Sequence, residues 1–191
     1  MVLIALLIAI VAAILFNTSF LLPRLLENVI AIPILVMAQI VLLSQILSIL
    51  HLLTTSGYWV GQVICLMISV VIWWLREKPS VSQHWIELWQ PLKTGRWRSP
   101  YLMILAVFIL AFIGYRAWYG AIYETYFFDA WVYHIPRALF WLQNGTAEHF
   151  FTENFRLTEF PPNASFVYTW MVAISGHTLG LNLPQAIPTL V

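Results

Sequence analysis

Four long apolar runs decide what this chain can become, because a helix needs about 20 mainly apolar residues to cross the hydrocarbon core of a bilayer. They cover residues 2–22, 29–53, 58–75 and 101–118. In lipid a chain must satisfy its backbone internally, which leaves helices and closed barrels as the spanning forms. The composition agrees: 61% of residues are hydrophobic and 9% charged, against about 25% charged in soluble domains. The mean hydropathy is +0.83. The chain reads as an all-α, polytopic transmembrane helix bundle, integral to the membrane and multi-pass.

Short polar joints separate the runs. Pro23-Arg24 with Glu27-Asn28 is expected to turn the chain, and Pro33 then falls in the first turn of the second helix, where its missing N–H costs least. His51 and the Thr54–Gly57 stretch make a tight second connection. The first run has no basic n-region and is expected to stay as a retained helix rather than a signal peptide. The closing LPQAIPTLV reads like the opening of another apolar helix, so the front part of a longer membrane protein is expected.

Charge supplies the expected orientation. Arg76, Lys78, Lys93, Arg96 and Arg98 make residues 76–100 the densest basic run, and the positive-inside rule puts that loop in the cytoplasm. Its WIELW core is expected to lie as a short interfacial helix, with a lipid-headgroup or partner site as the rarer alternative. The 54–57 hairpin and the first external loop, 119–162, are then extracytoplasmic. A net charge of +1 gives no reason to expect a nucleic-acid partner. Cys65 is the single cysteine and lies inside an apolar run, so it forms no internal disulfide. Ten tryptophans and eight tyrosines suit a protein with many membrane–water boundaries.

Within that loop, Tyr123–Pro162 gathers five of the eight acidic residues. Phe128, Trp131, Ile135, Leu139 and Leu142 recur at helical spacing, so 128–143 is expected to be an amphipathic juxtamembrane helix lying in the interface. Asp129, Tyr133 and Arg137 fall at i, i+4 and i+8 on its other face. Pro136 removes one backbone bond, so the segment is kinked or its helix begins there. Asn144-Gly145 is a helix stop. An Asp–Arg pair on such a helix serves solubility about as readily as function. Two features shift the weight: a carboxylate at the outer mouth of a bundle is available as a general base or to hold a metal or acceptor group, and the nearby Arg116, His134, Arg137 and Arg156 are suited to neutralising a phosphate. After the loop, residues 163–174 are apolar but too short to span alone. They either run on through Ser175-Gly176-His177 to Leu183 as an interrupted helix or form a re-entrant or tilted segment.

The order of these pieces, FDAWVYHIPRALFWLQNG followed by EFPPNASFVYTWMVAISGHTLGLNLPQAIPTLV, resembles the GT-C superfamily of membrane glycosyltransferases. The likeness is to the branch with protein O-mannosyltransferases and lipid A aminoarabinose transferases. It covers roughly residues 101–191, with 1–75 as an added N-terminal three-helix segment and 76–100 as the basic loop. It implies transfer of a sugar from a polyprenyl-phosphate donor to a glycan, lipid or protein acceptor outside the cytoplasm, in a bacterial inner membrane. Asp129 matches the family's first acidic position, the catalytic or acceptor-orienting carboxylate. Tyr133, His134, Arg137 and Arg156 are then candidates for binding substrate, the basic ones against the leaving phosphate. No cofactor is implied with certainty, and a divalent metal has a place in the scheme. Ala130 stands where the family often has a second acid, and Phe160 where a basic residue often precedes the proline pair; both point to a divergent bacterial member.

The weaker candidates are bland by comparison. Glu148, His149, Glu153 and Glu159 offer a second carboxylate or metal ligands, although loop acids are usually just solvated. His177 reads as a helix-break residue, and Glu124 as a snorkelling interface residue rather than a pathway acid. Asn17, Asn144 and Asn163 open glycosylation sequons of a pattern common by chance. The rival from another class is a non-catalytic membrane protein, a transporter segment or an assembly subunit. Transporters tend to carry ionisable residues at mid-membrane, which these runs lack.

Overall fold

The computed structural model of the chain describes residues 1–94, 99–122 and 128–177. Every regular element among them is helical: α1 (Val2–Thr18), α2 (Leu25–Ile49), α3 (Thr55–Leu75), α4 (Val81–Thr94), α5 (Pro100–Ile122), a π-helical turn (Ala130–His134), α6 (Ile135–Asn144), α7 (Arg156–Glu159) and α8 (Asn163–Ser175). Three helices are long and apolar enough to cross a membrane: Leu25–Ile49, Thr55–Leu75 and Pro100–Gly120.

The first apolar run ends as a helix earlier than expected. α1 stops at Thr18, a length of about 26 Å at 1.5 Å per residue, because the polar residues that follow serve a joint rather than a span. Asn17 Nδ2 donates to Asn28 Oδ1 at 2.7 Å, and Asn28 Nδ2 donates to the Leu22 and Arg24 carbonyls. Asn28 is fully buried. Its two amide donations fix the orientation of the group, so Oδ1 must accept, and His84 Nε2 of α4, at 3.2 Å, is therefore the protonated nitrogen. Glu27-Asn28, expected as a turn, is instead the first turn of α2, with Glu27 at the favourable N-terminal end of its dipole. Pro33 consequently lies inside α2 and not at its start.

The bundle is built on small residues. Ala5, Ala9, Ala12 and Ala13 are the buried stripe of α1, which lets α2 and α3 approach closely, as small side chains do between membrane helices. Gly61 of α3 sits against Leu43 of α2, where a Cβ would come within 2.3 Å of Leu43 Cδ1. Ser44 donates to the Ile40 carbonyl, so its oxygen accepts the Tyr58 hydroxyl at 2.7 Å. Thr54 caps α3 by accepting from the Gly57 N–H.

α8 is buried at every residue from Ser165 to Ile174; its side chains there are mainly apolar, and the buried Ser165 and Thr169 hydroxyls are hydrogen-bonded. It packs against α6, α2, α3 and α1, and Thr55 Oγ1 donates to its Ala173 carbonyl. It ends at Gly176 in the left-handed conformation, φ 74°. The expected continuation toward Leu183 lies outside the described residues. α5 is the opposite case: among the described residues none in its spanning stretch is buried.

Residues 128–162 dock on the α2–α3 turn. The Leu53 N–H donates to Gly145 O at 3.0 Å and the Ala147 N–H to Ser48 Oγ at 2.7 Å. His51 Nε2 lies 3.8 Å from Glu148 Oε1. α4 docks at the other end of α2, on Asn28.

Candidate functional site

The site segment is shaped by one proline. Pro136 carries no N–H and its ring crowds the carbonyl four residues back, Val132. The backbone answers by widening one turn, so that the Ile135 N–H reaches Ala130 O, five residues earlier. The Val132 carbonyl is taken by Asn154 Nδ2 at 3.2 Å. Such π-turns are frequent at functional sites.

The extra residue rotates what precedes it relative to α6, and this overturns the expected division of faces. Phe128, Trp131 and Leu139 are exposed, whereas Ile135 of the same expected stripe is buried. Tyr133 and Arg137, expected on the polar outer face, are buried together with Ala130, Ala138 and Trp141. Asn144-Gly145 does stop α6, with Gly145 at φ 69°.

Arg137 is 1% exposed. Its Nε donates to Leu157 O at 2.7 Å, Nη1 to Phe160 O and Ser165 Oγ, and Nη2 to Arg156 O. The one-turn helix α7 leaves carbonyls without intrahelical partners, and the guanidinium collects them. Its plane also lies near the Tyr133 and Trp141 rings, at 5.8 and 5.7 Å. No Asp129–Arg137 ion pair forms.

His134 is the second member of this knot. Its Nδ1 is 2.8 Å from Ser165 Oγ, and its ring stacks on Tyr168 with centroids 5.2 Å apart and planes 2° from parallel. Burial, reinforced by the positive Arg137 and opposed by Asp129, pushes its pKa down to about 4. At neutral pH it is therefore an uncharged imidazole and not a cation for a phosphate. Burial also raises the Tyr133 phenol above its ordinary value, with the Asp129 charge adding to the effect and Arg137 and Arg156 opposing it.

Two of the expected site residues remain open to solvent. Asp129 is exposed, and among the described residues its carboxylate has no hydrogen bond or ion pair. Arg156 is half-buried, its guanidinium 5.7 Å above the Phe128 ring and 6.0 Å from that of Phe155. Both charges act on the Tyr133 phenol, so the structure brings Asp129, Tyr133 and Arg156 into one neighbourhood. Arg137 and His134 lie behind it as scaffold.

The loop acids Glu148, Glu153 and Glu159 are exposed, and among the described residues no group of three His, Cys, Asp or Glu is placed to hold a metal. His177 follows the Gly176 break, its N–H and carbonyl both bonded to Ser175 Oγ. Glu124 lies outside the described residues. Ser165 and Asn154, which sequence reasoning did not single out, hold His134 and the π-turn; the orphaned Val132 carbonyl signalled that a donor was needed, but not which one. No family model, curated protein or solved structure matches the chain.

Proposed function

We propose that the protein is a membrane glycosyltransferase that moves a sugar from a polyprenyl-phosphate donor to an acceptor on the extracytoplasmic side. The observation that carries this reading is the exposed Asp129 carboxylate, which makes no hydrogen bond or ion pair among the described residues and shares the surroundings of the Tyr133 phenol with Arg156, on a segment docked at one end of span-length helices. Asp129 takes the proton of the acceptor hydroxyl, or orients that hydroxyl, as it attacks the anomeric carbon. The bond from that carbon to the phosphate oxygen breaks, and the electron pair leaves with the polyprenyl phosphate. Arg156 balances the charge on that leaving group. Arg137 and His134 contribute indirectly: they fix α7 and the π-turn, and so the positions of Arg156 and Asp129.

Asp129→Asn in the complete protein is expected to abolish transfer from a lipid-phosphate sugar while membrane insertion and the melting profile stay those of the parent. Transfer that persists in a well-folded Asp129→Asn protein refutes the assignment. One feature favours a second reading, an assembly subunit without catalysis: α5 presents apolar side chains on all sides, and among the described residues none in its spanning stretch is buried. That reading expects no transfer from the parent protein either.

A further inference from the structure

We infer that the cleft between α6 and residues 147–160 is a binding site for a small oxyanion, a phosphate or carboxylate group held against the Arg137 guanidinium. The cleft has a volume of about 210 Å³, and its walls include Arg137, Trp141, His149, Phe150, Thr158 and Phe160. At about 30 Å³ per water molecule, that is room for about seven waters, enough for a phosphate and part of its hydration.

The chemistry of Arg137 points to an anion. A guanidinium stays charged in a protein, and this one is buried. Among the described residues the ion pairs are Arg24–Glu27 and His51–Glu148, so no described carboxylate neutralises it. Its partners are three carbonyls and one hydroxyl, all uncharged. They solvate the charge as dipoles but leave it uncancelled, and a buried cation without a counter-charge is costly. After burial, its field is the second cause of the lowered His134 pKa.

Hydrogen-bond accounting leaves one donor. Nε–H, both Nη1 hydrogens and one Nη2 hydrogen are spent, and a guanidinium has five. A single contact suits one oxygen of an oxyanion and does not select for the fork geometry of a bidentate carboxylate. Trp141, Phe150 and Phe160 give the cleft apolar walls, which strengthen a charge–charge contact by keeping the local dielectric low. Glu148 also borders the cleft and opposes an anion, but its side chain is 70% exposed and turned toward His51.

The inference stands on Arg137 and the cleft and is independent of the role proposed for Asp129. The test uses the complete chain in detergent micelles, titrated with inorganic phosphate or acetate at constant ionic strength, with sodium chloride as the reference. Binding is read as a saturable rise in the unfolding temperature. A rise with phosphate alone assigns a phosphate site, and a rise with acetate assigns a carboxylate site. Thr158→Leu and Ala147→Leu narrow the cleft without touching Arg137, and each is expected to weaken the apparent affinity at least tenfold. Arg137→Lys is expected to do the same; if that variant does not fold, the two cleft-narrowing variants still decide. Asp129→Asn is expected to leave the affinity unchanged. The inference is overturned if neither oxyanion raises the unfolding temperature beyond chloride, or if both cleft-narrowing variants bind within twofold of the parent.

Discussion

Acidification should loosen the site segment through His134. The ordinary imidazole pKa of 6.5 is pushed down to about 4 in the folded protein, first by burial and then by Arg137. The unfolded chain therefore takes up a proton at a pH where the folded chain does not. The stability this group contributes is present in full above 6.5, is lost as the pH falls toward 4, and is gone below it. Each pKa unit is worth about 1.4 kcal/mol, which sets an upper bound of about 3 kcal/mol. Solvent reaching the half-buried ring reduces this to about 1–2 kcal/mol. For a chain of this size that corresponds to roughly 2–8 °C in melting temperature. The assay is thermal unfolding in detergent, followed by tryptophan fluorescence between pH 7.5 and pH 4, on the parent and on His134→Asn. The variant keeps a donor and acceptor near Ser165 but cannot titrate. Every other ionisable group is common to both proteins, so the difference between their profiles isolates His134. The parent should lose several degrees more than the variant over this range. Parallel pH profiles would refute the reasoning.

Gly145→Ala should destabilise the protein by about 1–2 kcal/mol, since it puts a Cβ at φ 69° and 3.0 Å from the His51 carbonyl oxygen; circular dichroism melts check this, and an unchanged melting temperature contradicts it. Single-cysteine labelling in a Cys65→Ser background, with a membrane-impermeant reagent on intact cells, should mark Asn144→Cys and spare Gln83→Cys. The reverse pattern would place Asp129 in the cytoplasm and remove the basis for the glycosyltransferase reading.

The long apolar helices were legible because bilayer length is a strong constraint on a sequence. The α2 and α3 cores and α5 fall where the apolar runs do, and residues 81–94 form a helix over the WIELW motif. What misled was polarity taken as a sign of a turn or an outer face. Asn28 and Arg137 are both buried, because each satisfies backbone or side-chain groups that only the folded arrangement brings near. Arg137 is buried by its backbone partners, and nothing local in the sequence reports that the carbonyls of residues 156, 157 and 160 would converge on it. The regular spacing over 128–142 failed for a different reason. A 3.6-residue period holds only while hydrogen bonds run four residues back, and Pro136 forces one to run five.

The two docking joints of α2 set the geometry within which any function must work. α4 is held at Asn28 and the site segment at Ser48, about 30 Å apart along a helix rising 1.5 Å per residue. That equals the thickness of a bilayer's hydrocarbon core. Each joint is made by polar groups that would be stranded in lipid: an asparagine pair with a histidine at one end, and a serine, a threonine and a glycine carbonyl at the other. Shifting α2 along the membrane normal by even one turn would carry one of these joints into hydrocarbon, where each unsatisfied polar group costs several kcal/mol. In a bilayer these two joints would fix the depth of α2 from both sides, and with it the height of Asp129 and Arg156, which ride on the segment anchored at Ser48. On the proposed reading, that height is where the carboxylate and the cation would meet the phosphate headgroup of a lipid-linked donor.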